Sequence, residues 1–171
     1  MTNTFISPTE LRSIILNDNL SFALSCKYKD NACNLSDFQK HLMIQGQKFE
    51  RSVMKYIRET VNIPITTVYD RQFEDAVNRT KEHIYNRVPI IYQGALQDDE
   101  LMIRGRPDLI VRGDCLEELF GLPNEENESY VIIDIKCATI PLSSDGIHMT
   151  NGKESAYYKA QCGLYTLMLG K

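Results

Sequence analysis

Residues 130–137, YVIIDIKC, constrain this chain more than any other stretch. Tyr130, Val131, Ile132 and Ile133 are aromatic or β-branched, the side chains that suit a pleated strand. Their apolar run lacks the alternation of a sheet with one wet face. It therefore predicts a strand in the middle of a sheet covered on both sides. A sheet covered twice requires helices on each face, and the remaining sequence has to provide them.

It does so in order. Ser7-Pro8-Thr9-Glu10 reads as a capping box with proline at the first helical position, opening a short helix with Leu11, Ile14 and Ile15 on one face. Residues 18–35 are polar and irregular and receive no element. From Ser36 or Asp37, the apolar residues Phe38, Leu42, Phe49, Val53 and Ile57 recur at helical spacing, predicting a helix to about Glu59. Gly46 lies in its middle, where glycine costs about 1 kcal/mol relative to alanine. Either something approaches the backbone there, or the helix packs tightly on a neighbour.

Residues 62–69 look extended, and Phe73, Ala76, Val77, Thr80 and Ile84 mark a second helix ending before Pro89. Residues 90–96, an acidic turn at 97–100 and a bent strand from Leu101 to Val111 form a hairpin. A polar excursion with one helical turn fills 113–129. A loop then leads to a final helix, capped by Asn151 with Glu154 and burying Ala160, Leu164 and Leu167. The order predicts an α/β domain with a mixed central β-sheet flanked by α-helices.

A length of 171 residues suits one domain with one sizeable core. No apolar run approaches the ~20 residues that span a bilayer. The start, MTNTFISPTE, lacks the basic-then-apolar build of a signal peptide. The expectation is an intracellular protein, in cytoplasm or nucleus, with no membrane partner. Five cysteines without a C-x-x-C pair predict free thiols and no zinc or iron–sulfur cluster. A net charge of −4 excludes a generally basic nucleic-acid binder. Phosphates would have to be met by a local basic patch, or by cations held on carboxylates.

Carboxylates stand where such cations could be held. In RGRPDLIVRG, residues 104–113, Asp108 follows Gly105 and Pro107, where the strand bends before re-entering an apolar layer. Asp134 and Lys136 are two apart, so on a strand they project from one face. Alone they read as a half-buried ion pair. With Asp108 on a neighbouring strand, and with the main-chain carbonyl of Ile135, they make an all-oxygen site for Mg²⁺ or Mn²⁺. Lys136, with its pKa lowered there, would hold the attacking water and help remove its proton.

RPD at 106–108 followed by DIK at 134–136 resembles the PD-(D/E)XK nuclease superfamily, specifically its RecB-like branch. Upstream, GQKFE at 46–50 resembles the family's G-x-x-x-E helix motif, and downstream QCGLY at 161–165 resembles its Q-x-x-x-Y motif. All four stand in the family's order. The resemblance implies a restriction-endonuclease-like core over 36–171, preceded by a helical or irregular extension at 1–35. It also implies continuation in a longer protein, with a helicase or another domain C-terminal to this segment.

The activity implied is a metal-dependent deoxyribonuclease of DNA repair or recombination, an exonuclease in preference to an endonuclease. Glu50, Asp108, Asp134 and Lys136 would be catalytic, with Glu50, Asp108, Asp134 and Ile135 holding Mg²⁺ or Mn²⁺. Gln161, Tyr165, Tyr158, Arg106 and Arg104 would bind DNA, and Arg112, Lys153 and Lys159 are further phosphate contacts. The chain departs from the pattern at Phe49, where many members have a histidine, and His41, His83 and His148 carry no ligand spacing. Two other readings stand beside this one. They are a catalytically silent nucleic-acid-binding module on the same fold, and a protein-interaction domain with a structural Asp–Lys pair.

Overall fold

Six short strands organise the computed structural model, which describes residues 5–28, 34–122, 129–150 and 152–170. They are β1 (Ile65–Thr67), β2 (Ile90–Tyr92), β3 (Leu96–Asp98), β4 (Ile103–Gly105), β5 (Leu109–Arg112) and β6 (Tyr130–Ile133). Strands β1, β2, β5 and β6 lie in that order in one mixed sheet, parallel between β1 and β2 and antiparallel after that. The predicted hairpin is there, but both of its arms bend. Residues 93–95 and 106–108 carry the chain out of the larger sheet into a two-stranded one, β3 with β4.

The helices are α1 (Arg12–Ile15), α2 (Asn19–Lys27), α3 (Asp37–Thr60), α4 (Phe73–Tyr85), α5 (Leu116–Phe120) and α6 (Lys153–Leu169). Alternation along β2 and β5 splits the core in two. Ile90, Leu109 and Val111 pack with Met54 and Ile57 of α3 on one face. Ile91 and Ile110 pack with Ala76 and Val77 of α4 and with Tyr165 and Met168 of α6 on the other. Each such aliphatic side chain contributes about 1.5–3 kcal/mol on burial, so these two layers fix where the sheet ends point.

Several expectations need correction. Residues 130–137 were predicted to form a central strand, yet β6 stops at Ile133 and pairs with β5 alone among the described residues. Its side chains do serve both layers, Val131 and Ile133 on the α3 side and Tyr130 and Ile132 on the other. An apolar run reports the covering of two faces, not the number of neighbouring strands. Residues 18–35 contain α2, capped by Asp18 accepting from the Ser21 N–H at 3.1 Å. Its Leu20 and Leu24 are exposed, so no apolar stripe announces it.

On α3 the capping box of Ser36 with Gln39 forms as the spacing requires. Its apolar residues Phe38, Leu42 and Phe49 are nonetheless exposed, and burial begins at Met54. On α6 the buried residues among the described ones are Ser155, Tyr157, Gln161, Tyr165 and Met168, while Leu167 is exposed. That helix is apolar most of the way round, which hides its core face from a spacing argument. Its N-cap is Gly152, and Asn151 lies outside the described residues.

The N-terminal segment joins the core. Ser7 and Glu10 exchange their predicted bonds on a turn, whereas α1 begins only at Arg12 with Leu11 as an uncapped N-cap. Pro8 is buried, and Ile6 bridges to Ile103 of β4. No helix among the described residues is long and apolar enough to cross a membrane.

Neither explanation for Gly46 holds in the free chain, because a Cβ built there would meet nothing within 4 Å among the described residues. Gly46→Ala should therefore stabilise the protein by about 0.5–1 kcal/mol through helix propensity alone. A lower midpoint in urea unfolding would show that a close contact exists after all.

Candidate active site

The sheet register brings the motif residues to one end. Tyr92 pairs with Leu109, and Leu109 with Ile133, so the next residues along, Gln93, Asp108 and Asp134, follow one another across three strands. The Gln93 N–H donates to the Asp108 carbonyl at 2.9 Å. The Ile135 N–H donates to Asp108 Oδ2 at 2.6 Å, extending the contact past the end of β6. Pro107 can offer no N–H of its own in this turn. Lys136 Nζ lies 2.7 Å from Asp134 Oδ2, the aspartate side chain only 7% exposed.

Glu50 comes to this end from α3. Its Oε1 accepts from the Tyr92 hydroxyl at 2.8 Å and from Gln93 Nε2 at 2.5 Å. Spacing alone does not reveal Tyr92 or Gln93 as site residues. The signal available in the sequence was the pair Gln93-Gly94, a break after an apolar strand. Cys162 of α6 is a third residue missed, its thiol pushed up to about 11 by burial and by the charge of Asp134.

Three carboxylates near one another leave a mark. The Asp108 carboxyl is pushed up to about 6, first by burial, against the Ile135 N–H, with the charges of Asp134 and Glu50 adding to the rise. Lys136 is moved the other way from the expected lowering. Burial pulls it down, but its bond to Asp134 and the charges of Asp134 and Asp108 outweigh that, and its pKa is raised. In this arrangement Lys136 Nζ is paired with Asp134.

Tyr165 and Gln161 are 3% and 4% exposed, so they are not a stacking surface. The Tyr165 hydroxyl donates to the Arg106 carbonyl at 3.4 Å. Its ring fills the space beside Gly105, where a Cβ would come within 2.8 Å of Cε1. Tyr158 is half-buried and tilts against Tyr157, centroids 5.4 Å apart.

The arginines are also engaged. Arg106 donates to the carbonyls of Gln93 and Asp70 at 3.2 and 3.0 Å. Arg104 lies over the rings of Phe5 and Phe73. Arg112 is paired with Asp114, and Lys159 Nζ is 3.5 Å from the Met149 carbonyl. The Lys153 side chain lies outside the described ones.

Among the described residues, no three Asp, Glu, His or Cys side chains stand so as to hold one metal ion together. Glu50 accepts from Tyr92 and Gln93 through one oxygen, and Asp134 is paired with Lys136. No family model matches the chain, and neither the curated proteins nor the solved structures hold a significant match to it.

The raised Asp108 value has a stability consequence whose sign is fixed. The folded state holds this proton more tightly than the unfolded chain. The resulting stabilisation is complete below about pH 4 and is lost as pH rises through about 6. Asp108→Asn cannot ionise, yet it can still accept from the Ile135 N–H. In chelator, its stability relative to the parent should climb between pH 4 and 7, by no more than about 2 kcal/mol after discounting for solvent screening. Urea midpoints across that range test this, and parallel profiles for the two proteins would sink it.

Proposed function

We propose that this chain is a nuclease of the PD-(D/E)XK type, RecB-like, with a restriction-endonuclease-like core. It would hydrolyse DNA phosphodiester bonds with Mg²⁺ or Mn²⁺. One observation carries the reading. Asp108, Asp134 and Lys136 come from segments separated by an α-helical excursion, meet at one sheet end, and feel the charge of Glu50 from α3. A structural ion pair needs only Asp134 and Lys136.

The donor set fits a hard cation. Mg²⁺ keeps several waters and is commonly bound through one or two carboxylates together with substrate phosphates, not by a complete protein cage. Asp108 and Asp134, with the Ile135 carbonyl, would hold it, and Glu50 would complete the negative charge. When bound, such an ion supplies activation of water and neutralisation of the leaving oxygen. Lys136, as an ammonium at Nζ, would orient the attacking water or a non-bridging phosphate oxygen by donating to it. Tyr165 and Gln161 would act indirectly, by keeping the 105–108 turn in place from α6.

Arg106 donates to main-chain carbonyls, while Arg104 stays exposed, and α3 adds further candidate phosphate contacts. Lys48, Arg51, Lys55 and Arg58 are spaced three, four and three, share one stripe, and are exposed. They span about 15 Å. Arg58 lies 5.8 Å from the centroid of Tyr92, whose hydroxyl binds Glu50, so the stripe ends beside the site. Glu59 is the acid that offsets it, 3.7 Å from Lys55.

The inward pairing of all three carboxylates is the observation that favours the silent binding module instead. Labelled linear and circular DNA, single- and double-stranded, incubated with Mg²⁺ or Mn²⁺, separates the two. Cutting of linear DNA alone would mark an exonuclease. Lys136→Ala should lower cleavage by roughly 10²–10³-fold, the loss expected for one preorganised donor, while Mn²⁺ binding persists. Asp108→Ala should lose both. Each stripe cation replaced by serine should reduce the salt dependence of DNA binding by about one in slope. Cleavage by Lys136→Ala at the parent rate would refute the mechanism.

A further inference from the structure

Tyr92 and Gln93 are adjacent in the chain, yet both donate to one atom, Glu50 Oε1. In a regular strand that cannot happen, because neighbouring side chains face opposite sides of the sheet. Strand β2 obeys the rule up to this point. Ile90 and Tyr92 lie in the layer under α3, and Ile91 lies in the layer under α4 and α6. Continued alternation would send Gln93 after Ile91, away from α3. Its backbone instead adopts φ +57, a left-handed conformation that residues with a Cβ rarely take, and the side chain is redirected to α3.

The turn itself does not explain a glutamine there. A left-handed residue is most often glycine, with asparagine the common polar substitute, and asparagine is one methylene shorter. Glycine is spent on the next position, where a Cβ would come within 2.8 Å of Ile110 Cδ1. Residue 93 thus accepts a strained backbone and keeps a long amide. Its main chain is held on both sides, the N–H donating to the Asp108 carbonyl and the carbonyl accepting from Arg106 Nη1. One residue therefore links the helix glutamate to the turn that carries Asp108.

We propose that Gln93, with Tyr92, is a positioning residue that orients Glu50 toward the cation site. This inference rests on the nuclease reading given above. Both donors take Oε1, which fixes the carboxylate and leaves its second oxygen for the site. Partners of this kind typically change metal affinity by about 10–100-fold when removed.

The test uses the full chain and two variants. Gln93→Gly removes the amide and relieves the left-handed strain, and Tyr92→Phe removes the hydroxyl but keeps the ring. Mn²⁺ affinity is measured by calorimetry without DNA, thermal midpoints in chelator, and cleavage across a Mn²⁺ titration. Gln93→Gly should be at least as stable as the parent while binding Mn²⁺ about 10–100-fold more weakly. Its cleavage should return as Mn²⁺ is raised. Tyr92→Phe should shift affinity the same way, and it decides the matter should the glycine variant not fold.

In a Glu50→Gln background, Gln93→Gly should cost no further affinity. A parent that binds and cuts, with both variants matching its Mn²⁺ affinity, overturns this inference alone. A parent that binds no Mn²⁺ overturns the nuclease reading and this inference with it.

Discussion

The hydrogen bond from the Ile135 N–H to Asp108 Oδ2, 2.6 Å long, is the contact on which the arrangement of this sheet end depends. The ladder between β5 and β6 ends at Leu109 and Ile133. Beyond it, Pro107 has no donor and the strand leaving β4 is turning, so nothing in the backbone pattern holds the two segments together. A side-chain carboxylate does so instead. A hydrogen bond to a charged group is worth about 1.5–3 kcal/mol, enough to align one turn. The rest is built around that alignment. Tyr165 presses on Gly105 from α6, Arg106 is drawn back to Gln93 and Asp70, and Asp134 is delivered opposite Asp108.

Like charges make this a costly assembly. Glu50, Asp108 and Asp134 influence one another, and Lys136 is the cation that bonds among them. Neutral donors join it in the offsetting: the Ile135 N–H, the Tyr92 hydroxyl and the Gln93 amide. A fold selected only for stability would gain by replacing such groups with packed apolar ones. Their presence at the rim of two well-packed layers fits the cation-dependent role proposed above, while the raised Asp108 value follows first from burial, with the charges of Asp134 and Glu50 adding to it. Among the described residues no three such groups stand so as to hold one metal ion together, so a bound cation would also draw on water and substrate oxygens.

How much of this was legible in the sequence varies with the length scale of the signal. Capping signals are local: the Ser7–Glu10 bonds form as read, although on a turn ahead of α1, and the start of α3 falls at Ser36 as its spacing implies. The faces of β2 and β5 follow from alternation. The pairing of Asp134 with Lys136 follows from a spacing of two. By contrast, the edge position of β6, the exposure of Phe38 and Leu42, and the burial of Tyr165 are set by which elements meet. No spacing rule contains that information. Helix α2 was invisible because a helix with no buried stripe shows no period.

Gln93 is the more instructive omission. Sequence rules assume that side chains alternate along a strand, and a left-handed residue silently breaks the count. Left-handed non-glycine backbone also occurs at Asn17, Arg87 and Met102. At one sheet end, however, such a residue, Gln93, coincides with Gly94 and Gly105, each too crowded for a Cβ, a proline without a donor, and a half-buried aspartate. Away from it, aliphatic layers line both faces of the sheet. Natural folds carry their local violations where function demands them and offset them by regular packing elsewhere. On that argument the bend at residues 93–95 belongs to the site as much as the three carboxylates do, because without it Glu50 and Asp108 would have no common partner.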